Sequence, residues 1–532
     1  MSPIAVYAGV QALKHGGTAA DAAATTALTQ ITTQLGSVVS YAGVWTMLYY
    51  EAKTHRIYSM DAGYNSYLHE TDPASIPIGD LGPLNFGRKP TQGGLKGRET
   101  LVPGFMAGLE AAQHRFGKLP FKSLFAPAIW YDEHGVPINP HLMGFFKIRQ
   151  SFLARTVEGR AFLAQAGGET PAVGSLFIQH DLAQTLSNVA EHGAAYMYTG
   201  PWGQDFVRIV QREGGKATAE DLARYRPIWS EPIKGEAFGH TIYVNGGPNF
   251  GGYDLLPALN IAEALGVAHK GPYWSDPETL EDLTEAAAVS SGPVLSPELD
   301  AFLKSKGIDT SPANQLTKDY GRRVAAVLKT LFTPPADNGP HHSNSIVVVD
   351  KDGNIAAVTH TFNGVIWGDT GIVVGGIPIP DSANFQQSRL ATLKPGDHVP
   401  HEIIDTIVTK DGKPVLATAS IGSSLIPETV RTLVGMLGQH QDLVTVMTEP
   451  PLLANFQVED GPLAKRPISL VQGAYGADVL ARLKQDGLTI SEVPHATADG
   501  LRGTLAVVAI DPKTGERLAT DQPGVMVHNR AQ

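Results

Sequence analysis

The segment GPHHSNSIVVVDKDGN, residues 339–354, places a hydroxyl residue, Ser343, between a Gly-Pro-His-His loop and an apolar run. Cleavage of the peptide bond between His342 and Ser343 would make Ser343 an N-terminus. Its α-amino group would have a pKa of roughly 7.7 to 8.0 and would be partly neutral at physiological pH. Such an amine can take the proton from its own residue's hydroxyl, so nucleophile and base belong to one amino acid. By itself the pattern also fits an ordinary turn serine, so the rest of the chain has to support the reactive interpretation.

The remaining sequence narrows the available chemistry. The chain contains no cysteine, which excludes a cysteine nucleophile, a disulfide and a thiolate zinc site. We find no G-x-S-x-G elbow, no P-loop lysine signature and no strand-linked G-x-G-x-x-G fingerprint. HEIID, residues 401–405, begins like a zinc-protease helix, but Asp405 stands where the second histidine is required. The adjacent His341 and His342 fit a solvated loop better than a shared ion. We therefore expect catalysis by oxygen or nitrogen groups, without a metal ion or an organic cofactor.

Composition limits the partners and leaves the compartment open. Of 532 residues, 42% are hydrophobic and 17% are charged, which is typical of a globular protein. A formal net charge of -11 provides no basic field for nucleic acid or anionic lipid. The N-terminus lacks the pattern of a secretory signal, so the protein is expected to be cytoplasmic, or periplasmic or secreted with the signal removed. Residues 22–50 carry no charge, but their Thr, Gln and Ser favour a buried helix and strand over a membrane span.

Two strand-turn-strand patterns position the residues of interest. SIVVVD, KDGN and IAAVTHTFN predict a hairpin that begins near Ser343, and IDTIVTKDGKPVLATAS predicts a second one. Before residue 342 the patterns are mostly helical, including a helix over YDLLPALNIAEALG that contains an internal proline. The change from mostly helical to β-rich patterns near residue 342 is the best candidate boundary in the chain.

Four sequence blocks occur in an order that is typical of one family. They are ALKHGGTAADAAATTAL, LVPGFMAGLEAAQHRFGKLPFKSLFAPAI, YTGPWGQDFVRIVQREGGKATAEDLARYRP and GGPNFGGYDLLPALNIAE. Together they resemble the γ-glutamyltranspeptidase family of N-terminal-nucleophile hydrolases over nearly the whole chain. The resemblance implies an α/β fold, a four-layer αββα sandwich. It also implies one precursor that yields a large subunit, residues 1–342, and a small subunit, residues 343–532, with one shared core.

The segment that starts at Ser343 is similar to the place where such precursors cut themselves. By this resemblance Ser343 occupies the position of the nucleophile, which is usually a threonine in the family. The spacing to the T-x-T-x-N triplet, here Thr359, Thr361 and Asn363, is kept without a gap. Thr361 would steady the hydroxyl of the nucleophile, and Thr359 and Asn363 would lie at the bound substrate.

A second segment resembles the family's oxyanion segment. ASIGSSLIP is similar to its Gly-Gly motif, which makes Gly422 and Ser423 the expected backbone N–H donors. Backbone donors survive a side-chain change, so serine in place of the second glycine does not remove the oxyanion hole.

The chain departs from the family at three places that recognise an amino-acid head group. Gly63 and Tyr64 stand where the family has an Arg-Glu pair that clamps the substrate's α-carboxylate. Asn384 is the nearest match to an acidic pair that binds the α-amino group. His401 and Glu402 replace paired serines before the T-I-V strand. Tyr64, Asn384, His401 and Glu402 are therefore candidate residues of a rebuilt substrate pocket.

These features predict an autoprocessing amidohydrolase or acyltransferase that forms an acyl-enzyme on Ser343. The expected partners are a small amide substrate and water or an amine as acceptor, and the substrate is expected to differ from a standard γ-glutamyl compound. One alternative is a true γ-glutamyl hydrolase or transferase whose head group is held by other residues. Another is a homologue that never matures and serves as a binding protein.

Overall fold

A computed structural model describes residues 2–80, 89–91, 93–165, 170–289, 297–328, 343–422, 424–453, 468–487, 489–495, 498, 502–522 and 525–529. The helices are α1 Pro3–Lys14, α2 Ala19–Thr33, α3 Phe105–Phe116, α4 Ala126–His134, α5 Pro140–Leu153, α6 Val157–Ala164, α7 His180–His192, α8 Ala195–Tyr198, α9 Pro201–Arg212, α10 Ala219–Arg224, α11 Gly252–Ala264, α12 Pro277–Ala288, α13 Pro297–Ser305, α14 Pro312–Gln315, α15 Lys318–Leu328, α16 Ser382–Phe385, α17 Gln387–Leu390, α18 Leu425–Leu433, α19 Leu443–Thr448 and α20 Ala477–Gln485. The strands are β1 Val44–Glu51, β2 Arg56–Ala62, β3 Val136–Pro137, β4 Leu176–Phe177, β5 Ile228–Ser230, β6 Ile233–Ala237, β7 His240–Val244, β8 Ser343–Val349, β9 Ile355–Thr361, β10 Val373–Val374, β11 Ile377–Pro378, β12 Ile404–Lys410, β13 Lys413–Ile421, β14 Ile468–Val471, β15 Ile490–Val493, β16 Thr504–Ile510, β17 Arg517–Gln522 and β18 Val525–Asn529.

The chain divides into two compact units. The first comprises Met1–Ala52, Met60–Ser230 and His341–Pro400, and the second comprises Lys53–Ser59, Glu231–Pro340 and His401–Gln532. Each unit draws on both sides of the predicted junction at residues 342 and 343. The division into a large and a small subunit with one shared core stays a prediction.

The first unit is built on a sheet with the strand order β5-β2-β1-β9-β8. β9 pairs antiparallel with β1 on one side and with β8 on the other. Helix α2 packs on β8 and β9, and every one of its residues is buried. Thr18 and Asp21 form a capping box that fixes the start of α2. This buried helix, followed by the buried strand β1, confirms the interpretation of residues 22–50.

A single aspartate organises the hairpin between β8 and β9. One Asp350 oxygen accepts the backbone N–H groups of Asp352 and Asn354 at 2.9 and 3.0 Å. The other oxygen accepts the N–H of Ala19, at the first turn of α2, at 3.0 Å. Gly353 takes a φ of 87°, which favours glycine. The D-G-N turn therefore sets the register of the predicted hairpin, and Asp350 also ties it to α2.

The second unit contains a sheet with the order β18-β17-β16-β13-β12-β7-β6. Its core is formed by apolar side chains of this sheet and of the helices packed on it, among them Ile242, Leu256, Leu280, Leu433 and Val507. The predicted second hairpin corresponds to β12 and β13, and helix α11 keeps Pro257 in its interior. None of the helices in the described ranges combines the length and the apolar character that crossing a bilayer requires.

Candidate active site

Ser343 is the first residue of β8 and lies directly opposite Thr361, the last residue of β9. Its Oγ donates a hydrogen bond to Thr361 Oγ1 at 2.7 Å. Ser343 is half-buried, whereas Thr361 is 2% exposed. The hairpin thus holds the candidate nucleophile at a partly accessible strand end, with its hydroxyl oriented by a buried neighbour.

Thr361 connects Ser343 with the turn that follows β9. Thr361 Oγ1 also accepts the backbone N–H of Asn363 at 3.2 Å. Asn363 has a φ of 48°, in the left-handed region where asparagine is one of the better tolerated side chains. Thr359 is buried on the same face as Thr361 and lies opposite Ser345. The structure therefore brings Ser343, Thr359, Thr361 and Asn363 together, and their contacts with substrate stay predictions.

Tyr64 holds the backbone of this turn by a hydrogen bond. Its hydroxyl donates to the backbone oxygen of Phe362 at 3.0 Å, and Ser382 Oγ donates to the same oxygen at 2.5 Å. Burial raises the pKa of Tyr64 well above its ordinary value, so the phenol stays protonated and acts as a donor. In this arrangement Tyr64 fixes the backbone next to Asn363, and the predicted contact of Tyr64 with substrate stays a prediction.

A carboxylate lies beside Gly63, where the resemblance leads one to look for an arginine. Asp61 Oδ1 accepts the backbone N–H of Gly63 at 2.7 Å and lies 3.2 Å from His398 Nε2. His398 Nδ1 lies 2.9 Å from Asn65 Oδ1, and Asp61 is 1% exposed. The sequence analysis missed Asp61 and His398. Their separation of 337 residues left no local signal, although His398 lies three residues before His401, a predicted pocket residue.

Asn384 is fully buried among acidic side chains that the sequence analysis also missed. Glu99, Asp369 and Asp381 are each 0% exposed, and one oxygen of each lies within 4.8 Å of the others. Burial and the adjacent Asp369 raise the pKa of Glu99 to about 10 and that of Asp381 to about 7. Burial alone would raise the pKa of Asp369, but its contact with Glu99 and the Lys96 ammonium hold it below its ordinary value. Lys96 Nζ lies 2.5 Å from Asp369 Oδ2.

In the second unit, Gly422 follows β13 and precedes helix α18. It has a φ of 94°, and a Cβ at this position would fall 2.8 Å from the backbone oxygen of Arg502. Thr429 Oγ1 donates to Ser420 Oγ at 2.8 Å, which fixes the helix relative to the end of the strand. A glycine at the N-terminal end of a helix is a suitable place for backbone N–H donors that stabilise an anion. The oxyanion role stays a prediction.

His401 and Glu402 precede β12 in the second unit. His401 is 2% exposed, its backbone oxygen accepts Phe250 N–H at 3.0 Å, and its Nδ1 lies 3.3 Å from Asn249 Nδ2. Glu402 is half-buried. Two further predicted residues, His342 at the cleavage junction and Ser423 in the oxyanion segment, lie outside the described residues.

Comparison with solved structures shows the fold. The fold is similar to that of a cephalosporin acylase from Bacillus halodurans, with a TM-score of 0.78 and 21% identity, over 100% of this chain and 95% of that one. This likeness confirms the predicted α/β fold class.

Sequence comparison defines the family. The model of the gamma-glutamyltranspeptidase family matches residues 5–522, so the chain belongs to that family. A glutathione hydrolase proenzyme of Pseudomonas aeruginosa is 29% identical to this chain over 438 residues, and this alignment covers 78% of this chain and 75% of that protein. A glutathione hydrolase proenzyme of Bacillus subtilis is 25% identical over 563 residues, covering 96% of this chain and 89% of the relative.

Proposed function

We infer that the protein is an autoprocessing amidohydrolase or acyltransferase whose nucleophile is Ser343. The hydrogen bond of 2.7 Å from Ser343 Oγ to Thr361 Oγ1 carries this proposal, because it orients a strand-end hydroxyl next to a site where cleavage would create an amine. The curated relatives are named proenzymes, which agrees with a maturation step. Besides the substrate, water and an acceptor amine, the proposed steps use only the chain's own residues.

Maturation begins when Ser343 Oγ attacks the carbonyl carbon of His342. The peptide C–N bond breaks as the ester forms, and the α-amino group of Ser343 receives the proton. Water then hydrolyses the ester, which leaves a carboxylate on His342 and a free amine on Ser343. The same residue thereby gains its general base.

In each turnover the α-amine takes the Oγ proton while Oγ attacks the amide carbon of the substrate. The backbone N–H groups of Gly422 and Ser423 are the proposed donors to the oxyanion. The substrate C–N bond breaks, the leaving amine takes the proton, and an acyl ester remains on Ser343. Water or an amine then attacks this ester and restores the hydroxyl.

We further propose that the substrate differs from a standard γ-glutamyl compound. The observation that favours this is Asp61, whose carboxylate accepts the N–H of Gly63 at 2.7 Å. A carboxylate beside this position repels the α-carboxylate of a γ-glutamyl group, whereas a guanidinium would bind it. An acyl group without that carboxylate avoids the repulsion.

N-terminal sequencing of the smaller band on a denaturing gel tests the first proposal. The expected fragment begins Ser-Asn-Ser, and Ser343→Ala should abolish both cleavage and turnover. Ser345→Ala is the matched control, because Ser345 lies on the same face of β8 and its Oγ forms no hydrogen bond in the described part of the chain. A wild-type chain that stays intact on incubation would contradict the proposal.

A pair of anilide substrates tests the second proposal. Mature protein should release aniline from a simple acyl anilide and leave the γ-glutamyl anilide of the same leaving group largely intact. Preferential release from the γ-glutamyl anilide would instead establish the alternative, a γ-glutamyl hydrolase or transferase with a different head-group site.

A further inference from the structure

Three buried carboxyl groups of the first unit, Glu99, Asp369 and Asp381, form what we call the carboxylate cluster. All three are 0% exposed, and one oxygen from each lies within 4.8 Å of the other two. Buried carboxylates are costly unless each oxygen is paired with a donor or a cation.

Most of the oxygens in the carboxylate cluster have no hydrogen bond. Both oxygens of Glu99, both oxygens of Asp381 and Oδ1 of Asp369 form none among the described residues. Asp369 Oδ2 differs, because it accepts from Lys96 Nζ at 2.5 Å and from the N–H of Asp80 at 2.8 Å. A proton shared between Glu99 and Asp369 would satisfy one contact, but it would still leave both oxygens of Asp381 without a donor among the described residues.

Asn384 supplies an independent observation. Its side chain is 0% exposed, and neither its amide oxygen nor its amide nitrogen forms a hydrogen bond in the described part of the structure. It lies beside Asp369: a Cβ on Gly79 would fall 2.3 Å from Asn384 Nδ2 and 3.0 Å from either oxygen of Asp369. With Asn384 Oδ1, six buried oxygens of four residues have no hydrogen-bond partner among the described residues.

The backbone is shaped closely around Asp381. A Cβ on Gly364 would lie 2.6 Å from Asp381 Oδ1, and a Cβ on Gly368 would lie 2.8 Å from it. Gly368 also has a φ of 67°, which favours glycine. The chain thus encloses the carboxyl group where a larger residue would occupy the space.

The nearby cations leave negative charge in the carboxylate cluster. Lys96 lies 2.5 Å from Asp369 and 3.4 Å from Glu99, and therefore offsets one of the three charges that fully ionised carboxyl groups would carry. Arg149 attracts Asp381 from a distance, but its Nε and Nη1 donate to the backbone oxygens of Ile366 and Asp80 at 3.2 and 2.9 Å. A further positive charge would be stabilised here.

We propose that Glu99, Asp369, Asp381 and Asn384 bind one hard divalent cation, for which Ca²⁺ is the best fit. Carboxylate and amide oxygens are the ligands that Ca²⁺ and Mg²⁺ select. Ca²⁺ accepts six to eight oxygens in flexible geometry, whereas Mg²⁺ prefers to keep several of its waters. Three converging carboxyl groups with a buried amide beside them can replace most of the waters of an ion, which favours the larger one.

The cation would have a structural role. It would join Glu99, which precedes Ser343 in the chain, to Asp369 and Asp381, which follow it. In this proposal the oxygen of Asn384 is directed to the ion, in place of its predicted contact with substrate. The site does not depend on Ser343 chemistry, so it can be tested whether or not the chain processes itself.

The test is calcium binding to purified full-length protein that has been treated with EDTA and dialysed. Isothermal titration with CaCl₂ should show one site, and Ca²⁺ should raise the Tm. Glu99→Gln and Asp381→Asn should each weaken binding by more than about tenfold, since even residues that only support metal ligands cost roughly 10- to 100-fold. Asp132→Asn is the matched control, because Asp132 is another buried carboxyl group of the first unit. Its Oδ1 accepts a hydrogen bond from Gln179 Nε2 at 2.8 Å.

Each outcome decides the proposal. Ca²⁺ binding that both cluster variants lose and the control keeps supports it. Wild-type protein that neither binds Ca²⁺ nor gains stability from it overturns the proposal and leaves protons and water to satisfy these oxygens. Equal binding by all variants also overturns it, because the site would lie elsewhere. If the variants do not fold, an anomalous difference map of wild-type crystals grown with Mn²⁺ must place a peak among the three carboxyl groups.

Discussion

Replacing Thr361 by valine removes the hydroxyl that orients Ser343 and keeps the shape of the side chain. The lost contact is the 2.7 Å hydrogen bond from Ser343 Oγ. Loss of a partner by a buried polar group costs about 1–3 kcal/mol, and about 1.4 kcal/mol corresponds to tenfold in rate. Ser343 is half-buried and reached by water, so the lower part of this range applies. We expect autocleavage and kcat to fall by roughly 5- to 30-fold.

Freshly purified precursor allows the rate of autocleavage to be measured by gel densitometry without knowledge of the substrate. Thr361→Ser keeps the hydroxyl and should restore most of the rate. Thr46→Val is the control, because Thr46 is a buried threonine of the same sheet whose Oγ1 donates to the backbone oxygen of Thr359 at 3.3 Å. Both valine variants should lose about 1 kcal/mol of stability. Cleavage of Thr361→Val at the wild-type rate, or equal slowing of Thr46→Val, would contradict the orienting role of Thr361.

Three further predictions concern stability. Burial lowers the pKa of His360 from its ordinary value of 6.5 to about 3, so between these pH values the unfolded chain binds a proton that the folded chain does not. In urea titrations His360 should therefore lower the free energy of unfolding by about 1.4 kcal/mol per pH unit from about pH 6.5 down to about pH 3. His360→Gln should lose this contribution to the slope. Gly422→Ala should be clearly destabilising in thermal melts and should lower activity, since alanine disfavours a φ of 94° and its Cβ would meet Arg502 O at 2.8 Å. Tyr64→Phe should cost about 1–2 kcal/mol in urea unfolding by removing a donor to Phe362 O, and a neutral result would show that the hydrogen bond is dispensable.

Local patterns predicted the hairpin around Ser343 well. The D-G-N turn and the two β-rich runs set the register, and the register places Ser343 opposite Thr361. The uncharged stretch that forms most of α2 and β1 was also predicted correctly. Both elements are buried, and residues 22–50 contain no charged residue. In the hairpin the decisive contacts lie within a short segment.

The surroundings of the site were less accessible to sequence reasoning. Lys96 pairs with Asp369 across 273 residues, and Asp61 contacts His398 across 337 residues. Such pairs depend on how distant segments meet, which residue spacing does not encode. Asp369 in WGDTG and Asp381 in IPDSANF stand in sequences that are typical of turns, so the sequence does not indicate that both are completely buried.

The strand order β1-β9-β8 has a consequence for the fate of a cleaved chain. β1 precedes the proposed cut and β9 follows it, and seven residue pairs join these two strands. Separation of the two products would break the backbone hydrogen bonds between β1 and β9 inside one continuous sheet, and would expose unpaired backbone on both halves. Dilution would therefore not release either product, and the two polypeptides would melt together in one transition, as a single nicked molecule does.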